Sequence, residues 1–317
     1  MKRKISESFI PAAACFFAVC MVLFPSITES GSKSAIIIWA NSIVPILLPF
    51  FIFADFIKRT VNSERLPKKL YPFVIAFMSG YPVGAKVVGD FVKNGAMTQK
   101  EGESVLSYSL VTGPAFIIGT IGSFLGNYKA ALLVAVSHYA GAIINGFFYG
   151  RGERLGDKAY SRMQKTEVRR TEKSAYMQEK QSLQHESSLE SFTAAISAGF
   201  KSMAVILAYL IIFMIAIDLL TASGAFALIK NETAASTIKG MLEMTAGSSM
   251  LGMCNISLRL KTALTAFVIS FGGLSVIGQS LSVSGGFISL WRLIKIKLTH
   301  GMIAAGIAAA AATLFLM

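Results

Sequence analysis

The chain has 317 residues, of which 54% are hydrophobic and only 15% are charged. Soluble globular domains contain about 25% charged residues, so this composition excludes an ordinary soluble protein and indicates an integral membrane protein. The net charge of +13 comes from 30 Lys and Arg against 17 Asp and Glu. In a membrane protein such an excess marks cytoplasmic loops, and we expect no nucleic-acid partner.

The N-terminus, "MKRKISESFIPAAACFFAVCMVLFPS", has the basic start and apolar run of a signal peptide. We expect an uncleaved first helix instead, because the chain after it is also membrane-embedded. Apolar windows that approach the roughly 20 residues of a membrane span lie at 9–24, 34–56, 105–127, 130–150, 202–217, 262–291 and 298–317.

The basic residues predict the topology, because loops rich in Lys and Arg stay in the cytoplasm. The polar segment 151–191 holds nine basic and seven acidic residues. If residues 70–92 crossed the membrane completely, this segment would lie outside the cytoplasm. We therefore expect residues 70–92 to enter, turn at Gly80-Tyr81-Pro82 and return. Both the N-terminus and the 151–191 loop are then cytoplasmic, as are Arg292, Lys295 and Lys297 before the last span.

The second half repeats this pattern, with "MLEMTAGSSMLGMCN" (241–255) as its re-entrant segment. Each half then contains a span, a re-entrant hairpin, a broken span and a span, and the two halves run in opposite directions. This is the inverted-repeat arrangement of secondary transporters. The predicted fold is an all-α integral membrane protein, a polytopic helical bundle with inverted repeats, two re-entrant hairpins and broken transmembrane helices. Its predicted parts are an extra helix and loop (1–33), a first repeat (34–150), a cytoplasmic polar linker (151–191) and a second repeat (192–317).

The third element of each half contains a helix-breaking motif. Thr112-Gly113-Pro114 interrupts one and Gly272-Gly273 the other. Proline lacks an amide donor, and glycine adopts conformations that a helix excludes. Unpaired backbone groups at membrane depth are tolerated where protein buries them or where they line a wet cavity. Together with the two hairpin tips, these breaks predict one central substrate cavity.

Lys86 is the candidate for anion binding in that cavity. A lysine inside a membrane segment costs roughly 2.5–3.5 kcal/mol on insertion scales, so it needs a partner or a polar cavity. Lys86 follows Pro82 by about one helical turn, where a helix N-terminus would reinforce its positive potential. An internal ion pair with Asp90 or Glu243 is an equally acceptable interpretation.

Glu243 and its polar neighbours suggest a second substrate or ion contact. Its carboxylate could take a coupling H⁺ or Na⁺, or accept a hydrogen bond from a substrate hydroxyl. We expect no other cofactor, no metal site and no enzyme, because no nucleophile, base and orienting group come together. The predicted substrate-binding residues are Ser79, Gly80, Tyr81, Pro82, Gly84, Lys86, Thr112, Gly113, Pro114, Glu243, Thr245, Gly247, Ser248, Gly272, Gly273, Gln279 and Ser280.

Four short motifs, "SGYPVGAK", "TGPAFIIGTIG", "EMTAG" and "FGGLSVIGQ", resemble membrane proteins with a nucleoside-recognition (Gate) domain. More narrowly, they resemble the YlbJ-like sporulation integral membrane proteins, a group that includes the stage V sporulation dipicolinate transporter. The resemblance covers about residues 34–317. It implies two Gate-type repeats, kinship with concentrative nucleoside carriers, and transport of a small anion such as dipicolinate across a bacterial cell membrane or a membrane around the forespore.

Three hypotheses about function remain. The favoured one is a secondary transporter of a small anionic metabolite, with dipicolinate as the preferred substrate. A carrier of nucleosides or other neutral solutes fits the same predicted fold, and so does a non-transporting assembly factor of the spore envelope. Expected partners are the anionic solute and membrane lipid, and homo-oligomerisation is left open.

Overall fold

The computed structural model describes residues 2–60, 67–150 and 187–316, and every regular element in these ranges is a helix. Helices long and apolar enough to cross a membrane are Pro25–Ile57, Tyr128–Gly150, Ser188–Ala222, Leu258–Val283 and Leu290–Phe315. The predicted all-helical integral membrane protein is therefore confirmed.

The helices before the polar linker are α1 (Lys2–Leu23), α2 (Pro25–Ile38), α3 (Val44–Thr60), α4 (Tyr71–Ser79), α5 (Tyr81–Lys93), α6 (Gln99–Ser109), α7 (Gly122–Leu125) and α8 (Tyr128–Gly150). Those after it are α9 (Ser188–Ala222), α10 (Glu232–Leu242), α11 (Met244–Met253), α12 (Leu258–Phe271), α13 (Gly273–Val283) and α14 (Leu290–Phe315). Both halves thus have the same order: a long helix, a pair of short helices, a broken helix and a long helix. Inversion of one half relative to the other stays a prediction.

Two short stretches of π-helix contact each other in the first half of the chain. Trp39–Ile43 joins α2 to α3, and Phe116–Ile121 runs into α7. A π-helical turn leaves carbonyl groups without their usual partners, and here the Thr120 hydroxyl donates to the carbonyl of Ser42 at 2.8 Å. On the other side of α2 and α3, the Trp39 indole donates to the carbonyl of Met203 at 3.0 Å, so the joint also anchors α9.

The short helices α4 and α5 form a hairpin. Gly80 between them has φ +82°, a conformation that favours glycine. A Cβ placed on Gly84 would lie 2.7 Å from the Cβ of Ala76 and 3.5 Å from the carbonyl oxygen of Pro72. In a continuous helix, Pro72 and Gly84 would be separated by about 18 Å. The chain therefore folds back at Gly80, and the depth of this turn in a membrane stays a prediction.

Helices α10 and α11 form the corresponding hairpin in the second half. A Cβ on Gly247 would overlap the Cα of Gly240, and the Ser236 hydroxyl lies 3.6 Å from the Cys254 thiol. The turn is at Glu243, whose backbone is extended (φ −140°, ψ 115°) and whose carboxylate accepts the Ala246 amide at 2.7 Å. Glu243 is therefore the N-cap of α11, a role that the sequence analysis did not assign to it.

The two broken helices are interrupted at the predicted motifs. Helix α6 ends at Ser109, the chain is non-helical through Leu110–Gly113, and helix resumes at Pro114. In the second half Gly272 (φ +86°) separates α12 from α13. Proline at the start of the second arm needs no amide donor, and glycine adopts the left-handed conformation without strain.

Several predicted helix limits were wrong. The predicted span 202–217 lies inside the longer α9, which begins at Ser188 with Ser187 as its N-cap. Most of the predicted linker, residues 151–186, lies outside the described residues. Helix α14 begins at Leu290 and not at residue 298, so Lys297 does not precede the last span. Its side chain is buried, with 2% exposure, inside the bundle.

The hairpin contact at Gly247 gives a stability prediction. Gly247→Ala forces a methyl group into the backbone of Gly240 and Ser236, and we expect it to lower the free energy of unfolding by about 1–3 kcal/mol. Gly306→Ala is the matched control, because a Cβ on Gly306 in α14 meets open space; we expect no loss there, since alanine favours helix over glycine. Thermal unfolding in detergent measures both variants. Equal melting temperatures would contradict the close packing of α10 on α11.

Candidate functional site

A cavity of about 410 Å³ lies where the hairpin tips and broken helices meet. Its volume is within the range of small-molecule pockets. The first half contributes the turn around Gly80 and the unwound Thr112-Gly113. The second half contributes Glu243 to Thr245 and one face of α13. Helices α3 and α9 close the sides with mainly apolar residues.

The cavity brings together many of the predicted substrate-binding residues. Those that line it are Ser79, Gly80, Tyr81, Pro82, Lys86, Thr112, Gly113, Glu243, Thr245 and Gln279. They come from four separate parts of the sequence, so their convergence is a property of the fold. Their role in binding a substrate stays a prediction.

The remaining predicted residues, Gly84, Pro114, Gly247, Ser248, Gly272, Gly273 and Ser280, do not line this cavity. Gly84 and Gly247 instead allow the two arms of each hairpin to pack closely. Gly272 and Gly273 supply the left-handed backbone of the break between α12 and α13. These glycines position the site and do not form its wall.

Lys86 lines the cavity and is exposed. Among the described residues it forms no ion pair with either Asp90 or Glu243, so the alternative of an internal salt bridge is not supported. Its ammonium group is therefore available to a solute.

Lys201 is a second exposed lysine on the cavity wall, and the sequence analysis missed it. It lies on α9, one position before the predicted span, which was taken to begin at residue 202. Over the ranges that the structure covers, Lys201 also forms no ion pair. The signal was present in "AGFKSMAV", where a single lysine lies between apolar residues on a long helix.

Helix ends add to the positive potential of this cavity. Helix α5 begins at Tyr81 and α11 at Met244, and both of these residues line it. The amides of a first helical turn lack intrahelical acceptors and carry partial positive charge. Glu243 is the carboxylate on the wall, and one of its oxygens is already engaged by the Ala246 amide. The arrangement therefore favours an anion.

A buried polar cluster lies directly behind Tyr81 and satisfies the backbone groups that the helix breaks expose. The Lys297 ammonium donates to the carbonyl of Leu110 at 2.8 Å. The Thr112 amide donates to His138 Nε2 at 3.1 Å, and the Tyr139 hydroxyl donates to the Thr112 carbonyl at 2.9 Å. The Tyr81 hydroxyl donates to the carbonyl of Ile269. Unwound backbone is stable inside a membrane protein when it is paired in this way.

The hydrogen bonds define the tautomers of both buried histidines. His138 Nε2 accepts from an amide, so its proton is on Nδ1, which lies 2.8 Å from the Ser270 hydroxyl. His300 Nε2 donates to the His138 carbonyl at 2.8 Å, so its Nδ1 is free to accept from Lys297 at 3.4 Å. The two imidazoles are thus neutral, and their hydrogen bonds connect α8 with α12 and α14.

The chain is similar to a sporulation membrane protein. The sporulation integral membrane protein YlbJ of Bacillus subtilis (strain 168) is 24% identical over 314 aligned positions, covering 87% of this chain and 75% of the relative. The chain is therefore similar to YlbJ over most of its length. No family model and no solved structure matches it. The resemblance to Gate-domain proteins accordingly stays a prediction.

Proposed function

We propose that this protein is a secondary transporter of a small anionic metabolite, with dipicolinate as the favoured substrate. The observation that carries the proposal is that Lys86 and Lys201 line the same cavity, without ion-pair partners among the described residues. Two ammonium groups in one cavity, together with the N-terminus of α5 at Tyr81, attract a solute that carries two negative groups.

The relationship to YlbJ supports a role in sporulation, because that relative is named a sporulation integral membrane protein. The cavity has both charged and apolar lining, as a rigid dicarboxylate requires: its carboxylates would face the lysines, and its ring would face apolar residues such as Phe51 and Val276. We place the protein in a bacterial cell membrane, including the membrane around the forespore, with lipid as its surrounding partner.

The transport proposal includes the predicted topology. The α4–α5 and α10–α11 hairpins re-enter the membrane from opposite sides, the two halves are inverted, and the N-terminus and polar linker are cytoplasmic. In such transporters the substrate binds near the midplane between broken helices, and rocking of the halves exposes it to each side alternately. Glu243, on the cavity wall, would accept a coupling proton.

Uptake by reconstituted vesicles tests this function. We expect wild-type protein to take up labelled dipicolinate in preference to uridine, and Lys86→Ala to reduce that uptake about tenfold by removing one charge-assisted contact. Lys93→Ala is the matched control, because Lys93 is exposed on the same helix but does not line the cavity. Its dipicolinate uptake should equal that of the wild type.

A neutral-solute carrier is the second candidate, favoured by the apolar walls and by the uncharged polar groups of Tyr209 and Gln279. It predicts uridine uptake that Lys86→Ala leaves unchanged. Transport of neither solute, by protein that is folded, would favour an envelope assembly factor.

A further inference from the structure

The breaks of both broken helices lie next to the side chain of Lys297. Helix α6 ends at Ser109, and the next carbonyl, that of Leu110, accepts the Lys297 ammonium at 2.8 Å. Helix α12 ends at Phe271, and a Cβ added to the next residue, Gly272, would lie 3.6 Å from Lys297 Cε. Helix C-termini carry partial negative charge. A single side chain therefore connects the breaks of both halves.

The other contacts of Lys297 also suit a cation. Its ammonium lies 4.5 Å from the centre of the Tyr81 ring and 3.4 Å from the unprotonated Nδ1 of His300. In the described part of the chain no carboxylate pairs with it. The Lys297 side chain is therefore held by a carbonyl oxygen, an aromatic face and an imidazole, and not by an acidic residue.

In secondary transporters, unwound carbonyls and half-helix C-termini are the groups that coordinate a transported Na⁺. Here a side chain of the protein already fills that position. We propose that Lys297 is a tethered cation that occupies a Na⁺-type site between the two broken helices, so that substrate transport requires no Na⁺. This inference rests on the proposed transport function.

The site is linked to the substrate cavity through Tyr81. Its ring contacts Lys297, its hydroxyl binds the Ile269 carbonyl, and Tyr81 itself lines the cavity. Lys297 does not line the cavity, so it is a positioning residue that holds the two breaks together behind the substrate.

The first test uses the wild-type protein alone. Uptake of dipicolinate, or of whichever solute the vesicles transport, is measured with Na⁺, K⁺ or choline as the only added cation. We expect equal initial rates. A rate at least about tenfold higher in Na⁺ than in choline would overturn the proposal, because a free Na⁺ would then be required.

The second test needs no transport, so it separates failure of this inference from failure of the proposed function. In Lys297→Ala the lost atoms correspond to propylammonium. We expect the variant to melt at a lower temperature than the wild type, and propylammonium to raise its melting temperature by about 3 °C or more. Uncharged 1-propanol, which has the same length, should have no such effect.

Lys297→Met is the second variant, since it fills the volume without the charge. We expect propylammonium to leave its melting temperature unchanged, because the methionine side chain blocks the site. Failure of propylammonium to stabilise Lys297→Ala, or equal stabilisation by 1-propanol, would overturn the tethered-cation proposal. If both variants fail to fold, the cation dependence of wild-type uptake decides the question.

Discussion

Combined replacement of Lys86 and Lys201 by glutamine is expected to lower anion uptake to about 2% of the wild-type rate under conditions where the wild type is half-saturated. Both side chains line the same cavity and are exposed there. A hydrogen bond to a charged group contributes about 1.5–3 kcal/mol, so each single change should raise the apparent KM roughly tenfold or more. If the two contacts are independent, the double variant loses about a hundredfold. Initial rates over a range of dipicolinate concentrations measure this.

Two controls make the lysine experiment specific. Lys93→Gln removes a charge from α5 outside the cavity and should leave KM unchanged. Lys86→Arg with Lys201→Arg keeps both charges and should retain most of the uptake, because guanidinium groups also bind carboxylates. A double glutamine variant with wild-type KM would show that the anion does not bind between these residues.

His138→Phe is expected to cause the largest loss of stability among single changes. The imidazole is fully buried and joins the Thr112 amide to the Ser270 hydroxyl. Phenylalanine leaves both groups buried without this partner, and an unsatisfied buried polar group costs about 1–3 kcal/mol. We expect the free energy of unfolding to fall by about 2–5 kcal/mol, measured by thermal or denaturant unfolding in detergent.

Tyr139→Phe is the comparison for that experiment. It removes a single hydroxyl that donates to the Thr112 carbonyl, which is a smaller change at the same helix break. We expect a loss of about 1 kcal/mol. If His138→Phe proved no more harmful than Tyr139→Phe, the histidine would not be the residue that satisfies the unwound Thr112 amide.

The helix breaks could be predicted from sequence because their causes are local. Thr112-Gly113-Pro114 and Gly272-Gly273 contain the residues that interrupt a helix by their own backbone properties. The turn at Gly80 follows from the same argument, and the φ angles of Gly80 and Gly272 agree with it. Ten of the predicted substrate-binding residues, from Ser79 to Gln279, line the resulting cavity.

The positions of lysines relative to the bundle could not be predicted in this way. Lys297 was assigned, with Arg292 and Lys295, to the basic flank before a span predicted to begin at residue 298, yet α14 begins at Leu290 and Lys297 is buried. Lys201 was left outside a span whose true helix starts at Ser188. In each case composition gave the approximate span, but the helix end and the facing partners determine where the charge lies.

Glycines show a related ambiguity. Gly84 and Gly247 were predicted to bind substrate, whereas their missing side chains allow one hairpin arm to contact the other. Both roles require the absence of a Cβ. Sequence alone therefore identifies a position that requires glycine, but only the tertiary structure shows whether that glycine binds a substrate or allows close helix packing.

The paired π-helical turns limit how this chain and its relatives can gain or lose residues. Deleting one residue from Trp39–Ile43 would restore α-helix and rotate α2 by about 100° relative to α3. Gly31, which packs against the backbone of Ile215, would then turn away from α9. The π-helical segment Phe116–Ile121 contacts the first one through the hydrogen bond from the Thr120 hydroxyl to the Ser42 carbonyl. The same deletion would therefore also break this contact between the two segments. In an alignment of relatives, single-residue gaps at these two places should therefore occur together.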